Sequence, residues 1–194
     1  MMGHLYIATR ALSLLSLLLL IGCATDPGTV REKLDPVTSV TISYSNAPLV
    51  FCHEAPGRAA YARDYVHLAP MEVNRSGRYE YYLWLGIWNT MQDAGMTRDG
   101  FESVIIYADG EPLLLEVSGW NAAAVGASES VFLKPVASAA DAYYAVTVDQ
   151  LRLIAAASDV RLQSTGARGR SYEPWDDQRP AMAGLLEFLG SSVY

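Results

Sequence analysis

Tyr79-Glu80-Tyr81-Tyr82-Leu83-Trp84-Leu85-Gly86-Ile87-Trp88 is the stretch whose reading decides the fold. It is apolar at both alternating sets of positions and dense in aromatic residues. A strand with one wet face alternates apolar and polar residues; a strand buried on both faces does not. The stretch therefore predicts a central strand. Tyr82, Trp84 and Trp88 share one face, with Gly86 between the two tryptophans, while Tyr79, Tyr81, Leu83, Leu85 and Ile87 share the other.

The flanking segments supply its partners. Thr38, Val40, Ile42 and Tyr44 alternate with Ser39, Thr41, Ser43 and Ser45, the pattern of a half-buried strand. Residues 49–53 read as a second short strand, and residues 65–73 as a third, broken near Pro70. Residues 101–108 and 112–117 flank Asp109-Gly110, a two-residue hairpin signal because a type I′ turn needs positive φ at both positions. Residues 131–136 and 143–146 read as two further strands.

The final third changes period. Thr147 and Gln150 match a capping box. Leu151, Ile154 and Ala155 then form an apolar face at helical spacing that ends near Ser158. Residues 160–163 read as a short strand and residues 164–174 as a polar loop. Asp176 or Asp177 caps a last helix that runs through Leu189, with Leu185, Leu186, Phe188 and Leu189 on its buried side and Gly190 as its stop. The predicted class is α+β, a largely antiparallel β-sheet or sandwich with two C-terminal helices packed on it.

The N-terminus reads as an address. Residues 11–21 are uncharged and apolar and follow Arg10, but the run is shorter than the about 20 residues a membrane-spanning helix needs. A basic start, a short apolar stretch and a small residue before the break make the pattern of a secretory signal. Leu20-Ile21-Gly22-Cys23 resembles the lipobox of bacterial lipoproteins. The resemblance covers the first 25 residues or so. It implies cleavage before Cys23, lipidation of Cys23 and, with Ala24 rather than Asp next, delivery to the outer membrane. The expected organisation is a signal peptide over 1–22, a lipidated tether over 23–36 and one β-rich domain over 37–194.

The chain holds 14 Lys+Arg against 21 Asp+Glu, a net charge of −7, and loss of Arg10 with the signal would make it −8. An acidic surface repels phosphate backbones, so nucleic acid is not an expected partner. Cys52 is the one cysteine besides Cys23, so no disulfide is expected within the mature chain.

Cys52-His53-Glu54 is the most suggestive chemical cluster, since a thiolate beside an imidazole is a nucleophile pair and all three types bind metals. Adjacent strand residues point to opposite faces, however, and a catalytic pair needs hydrogen-bond reach of about 2.6–3.2 Å. Cys52 shares a face with Val50 and reads as a buried core thiol. His67 could join His53 at a metal site if their strands were neighbours, but the spacing matches no ligand motif. There is no G-x-S-x-G elbow, Ser128 and Ser130 read as loop residues, and Asp176-Asp177 suits a helix N-terminus. Gly166 and Gly169 lack the spacing of a phosphate loop. No catalytic residue, metal or cofactor is expected.

The Tyr82, Trp84 and Trp88 face is either core or a groove for an apolar or glycan ligand. Trp175, near Arg168 and Arg170, either extends that groove or plugs the last helix against the sheet. Two functions follow as expectations. One is a non-catalytic envelope lipoprotein, held to the membrane by its lipid and binding another envelope protein or an assembly. The other is a small-ligand binder, for lipid or glycan, that uses the aromatic face. A Cys23→Ser variant should lose all fatty-acid label in cells grown with a radiolabelled acyl precursor; normal labelling would refute the lipobox reading.

Overall fold

In the computed structural model, which describes residues 28–92, 98–166 and 169–192, the expected central strand is the spine of a closed barrel. The first half of the chain gives β1 (Val30–Asp35), β2 (Val40–Ser45), β3 (Leu49–Glu54), β4 (Arg63–Arg75) and β5 (Arg78–Asn89). After it come β6 (Ser103–Ala108), β7 (Glu111–Gly119), β8 (Ala140–Val146), helix α1 (Val148–Ala156), β9 (Val160–Ser164), β10 (Ser171–Pro174) and helix α2 (Arg179–Ser192). Every strand pairing is antiparallel.

β4 and β5 pair along their whole length, from Asp64 opposite Asn89 to Arg75 opposite Arg78. From β4 the ladder runs through β3, β10, β9, β6, β7 and β8 and returns to β5. The largely antiparallel β structure with two C-terminal helices is as expected, but its eight ring strands close into a barrel instead of forming a sandwich. The closing link is β10, four residues that pair with both β3 and β9 inside a segment expected to be loop. β1 and β2 form a hairpin outside the ring, with β2 attached to the far half of β4.

Pro70 does not break β4. On the edge away from β5, β3 pairs with residues up to Leu68 and β2 with residues from Met71. Pro70 lies in the gap between those partners, where a missing N–H costs least. The Asp109-Gly110 turn is as expected, with φ of 50° and 89°. The capping box at Thr147 and Gln150 also forms as expected.

An eight-stranded barrel is just wide enough for side chains to fill it. Leu83 and Leu85 of β5, Ile106 of β6 and Leu162 of β9 meet inside. Leu151 and Ile154 of α1 and Leu185 and Phe188 of α2 belong to the same buried cluster. The helices therefore complete the barrel's interior rather than lying on an outer face. Asp64 is 5 % exposed and receives Arg58 at 3.0 Å and Arg170 at 2.9 Å, so its buried charge is paired twice.

Four further expectations need correction. Residues 30–35 are not tether but strand, because β1 pairs along its length with β2 and Val30 packs on the interior cluster. Residues 131–136 form no strand; they cross the outside of the barrel as a strap fixed by side chains. The last helix runs past Gly190, since the Tyr81 hydroxyl donates to the Ser192 carbonyl at 3.0 Å and holds the final turn. Leu186 on that helix is 56 % exposed rather than buried.

Phe188→Ala should cost about 3–5 kcal/mol, the usual penalty for truncating a fully buried Phe. Urea unfolding of the two proteins measures it, and a loss below 1 kcal/mol would show that α2 is not part of the core.

Candidate functional site

The outer face of β4, β5 and β8 carries a second buried layer, which explains why both faces of the 79–88 stretch are apolar. Ala69, Met71, Tyr82, Trp84 and Tyr143 lie on it, covered by Val40 and Ile42 of β2 and by the segment from Ala122 to Phe132. Polar contacts pin that segment down. The N–H and hydroxyl of Ser128 both donate to Asp35, and these bonds hold the Asp35 carboxyl well below the usual carboxylate range. Lys33 pairs with Glu129, and the Tyr143 hydroxyl donates to Ser130 Oγ at 3.2 Å. Burial pushes the Tyr143 hydroxyl up to about 12, so it stays neutral.

Gly86 permits the central feature of this layer. The Trp84 ring folds along its strand onto Gly86, where an added Cβ would meet ring carbon Cζ2 at 2.6 Å. Phe132 stacks on the ring with centroids 4.2 Å apart and planes 9° apart. The indole N–H donates to Asp141 at 3.0 Å, and Lys134 pairs with the same carboxylate at 3.2 Å. Trp84 is left 2 % exposed. It is a wall and not a stacking platform, because its ring is already covered.

A cavity of about 300 Å³ opens beside this stack. Arg31, Tyr44, Asn46 and Pro48 border it from the N-terminal hairpin side, His67 and Trp84 from the barrel, and Val131, Phe132 and Leu133 from the strap. Tyr44 meets Phe132 edge-on at 5.3 Å. Burial alone pushes the His67 imidazole below its ordinary value.

The other sequence candidates fall as follows. Tyr82 is core in the outer layer and donates to Glu80 at 3.1 Å. Trp88 stacks on Tyr65 at 4.5 Å and presents an edge arrangement to His67 at 6.1 Å. Of Tyr82, Trp84 and Trp88, then, Trp84 alone borders the cavity. Trp175 is 45 % exposed, meets Tyr65 edge-on at 5.4 Å and has the Arg63 guanidinium 4.7 Å above it. It extends the aromatic outer face and does not plug the helix. Arg170 is committed to Asp64. Cys23 and Arg168 lie outside the described residues.

Cys52 is buried, as expected, but beside Tyr65 on the outer face and not in the barrel's interior. Burial raises its thiol pKa. His53 takes the other side of β3, with its Nδ1 2.9 Å from the Ser171 carbonyl oxygen. That distance makes Nδ1–H the donor. His53 sits opposite Asp64 and His67 opposite Val50, so the two histidines fall on opposite faces of neighbouring strands. Among the described residues, no three His, Cys, Asp or Glu side chains gather as a metal site. Asp177 caps the start of α2 through the Arg179 N–H, and the Arg179 side chain lowers its pKa to about 2.

Sequence reasoning missed Arg31, Tyr44, Asn46 and the strap residues of the cavity. The run Val30-Arg31-Glu32-Lys33-Leu34-Asp35 is apolar only at Val30 and Leu34, a weak strand signal, and nothing local marks Phe132 as the partner of Trp84. No family model matches the chain, and neither a curated protein nor a solved structure matches it.

The His67 shift has a defined sign. Its folded pKa lies below the unfolded 6.5, so the unfolded chain binds more protons as pH falls through that window. Stability should therefore drop on acidification below pH 6.5, and His67→Gln should remove that part of the slope. Urea midpoints of both proteins between pH 7.5 and pH 5 test this; parallel curves would count against it.

Proposed function

We propose that this protein is a lipid-anchored, non-catalytic binding module of the bacterial envelope, and that it binds a small molecule rather than a partner protein. The observation that carries the second half is the cavity beside Trp84. It is concave and bordered by Tyr44, Trp84, Val131, Phe132 and Leu133, with a few polar groups from Arg31, Asn46 and His67. Small-ligand sites have this composition, and about 300 Å³ is the lower end of their usual size. The filled barrel supports the same choice, because it leaves ligand binding to the outside.

The non-catalytic part rests on the dispersal of reactive groups. Cys52 and His53 diverge across β3, and among the described residues no carboxylate acts on His67, whose imidazole pKa is lowered by burial. The anchor rests on the Leu20-Ile21-Gly22-Cys23 resemblance. No helix among the described residues is long and apolar enough to cross a membrane.

The Trp84 indole N–H, bonded to Asp141, is a reporter at the cavity wall. Single-chain lipids, glycans and peptidoglycan fragments should be screened for shifts of its NMR resonance. A true ligand should move it saturably, and a cavity-filling Val131→Phe variant should weaken that ligand at least tenfold while leaving the melting temperature within a few degrees. A screen in which no compound moves the Trp84 signal, while crosslinking in cells recovers one envelope protein, would turn the reading to a partner protein.

A further inference from the structure

We propose that the cavity takes a single-chain anionic amphiphile, a carboxylate head on a short acyl body, drawn from the membrane that tethers the protein. This rests on the small-ligand reading above and names its ligand class.

Charge is the first argument. Among the described residues, Arg31 is the one fixed charge on the cavity border, and no Asp or Glu lines it. The chain as a whole is at −7, so a cationic pocket runs against its average surface. Lys33, the other cation on β1, is paired with Glu129, whereas Arg31 has no ion pair within 4.0 Å among the described residues. The Glu187 carboxylate, which lies in the field of Arg31, is held chiefly by hydrogen bonds from Thr29. His67 adds a neutral hydrogen-bonding edge and not a second charge. A planar guanidinium free to form two parallel bonds matches a carboxylate.

The apolar side is the second. Val131, Phe132 and Tyr44 offer hydrocarbon and ring surface beside that guanidinium. Leu133, at the same border, is 93 % exposed. An apolar side chain standing in water at the mouth suits entry of a chain that is apolar itself. A cavity of about 300 Å³ suits one short chain and not the two of a phospholipid.

Chain length is the third. Arg31 is the eighth residue after Cys23. Eight residues span at most about 29 Å when fully extended. The mouth is therefore held within roughly one hydrocarbon-core thickness of an anchor at Cys23, close enough to take a ligand from the bilayer surface.

The test uses the full acylated chain in phosphatidylcholine vesicles with a diazirine-bearing decanoate, and adducts are mapped by mass spectrometry. Adducts are expected on the peptide carrying Val131, Phe132 and Leu133. Decanoate should chase them at about tenfold lower concentration than decylammonium or decanol. Arg31→Gln should abolish that preference, Arg31→Lys should keep part of it, and matching thermal melts establish that both variants fold. Equal competition by decanoate, decylammonium and decanol would overturn the anionic head while leaving a small-ligand pocket. No adduct at residues 131–133, with none of the screened compounds shifting Trp84, would overturn both. Labelling that appears only in Cys23→Ser would mean that the chain's own acyl group fills the cavity, which also overturns the proposal.

Discussion

The β4–β5 ladder is the constraint on which the rest of the molecule depends. β4 is satisfied along one edge by β5 and along the other by β3 and then β2. A strand that shares three partners cannot be an edge, so the sheet on each side of it must continue. From the edge away from β5 it continues through β3 around the ring and back to β5, and from the far half of that same edge it branches into the β1–β2 hairpin. Closure leaves the ring with no unpaired edge, which removes the usual route to aggregation of exposed strands.

Two buried layers follow from that geometry. The inward residues of the strands meet α1 and α2 and fill the barrel. The outward residues of β4, β5 and β8 would be a large exposed apolar patch if left bare. The hairpin and the strap cover most of them. Their attachment is polar at the edges and apolar beneath, with Asp35–Ser128 and Lys33–Glu129 around the Trp84–Phe132 stack. Gly86 is the residue that makes this possible, since any side chain there would occupy the space of the Trp84 ring.

The cavity is where the two covering pieces fail to meet. Its border joins β1, the turn after β2, two barrel strands and the strap. Such a seam can combine a charged residue from one piece with apolar residues from another without burying the charge. Arg31 stays half-exposed for that reason. Asp64, by contrast, is buried by the ring itself and is stable there because Arg58 and Arg170 both reach it.

Strand and helix periodicity, the Asp109-Gly110 hairpin and the Thr147 capping box were legible in the sequence, because each depends on residues within a few positions of one another. The burial of both faces of the 79–88 stretch was legible for the same reason. Which of those faces is inside was not, and neither was closure, since β10 contributes only four residues and pairs across long separations. Residues 30–35 looked like tether because their strand is mostly polar and exists through its pairing with β2. Residues 131–136 looked like strand, but the strap that forms there is set by Trp84 and the side chains around it. The candidate site shows the same division. The sequence determined that Trp84 lies on an aromatic face with a gap at Gly86. The tertiary structure decided that the ring would close that gap and that Arg31, His67 and Phe132 would gather beside it, because contacts across a hundred residues are fixed by packing and not by local pattern.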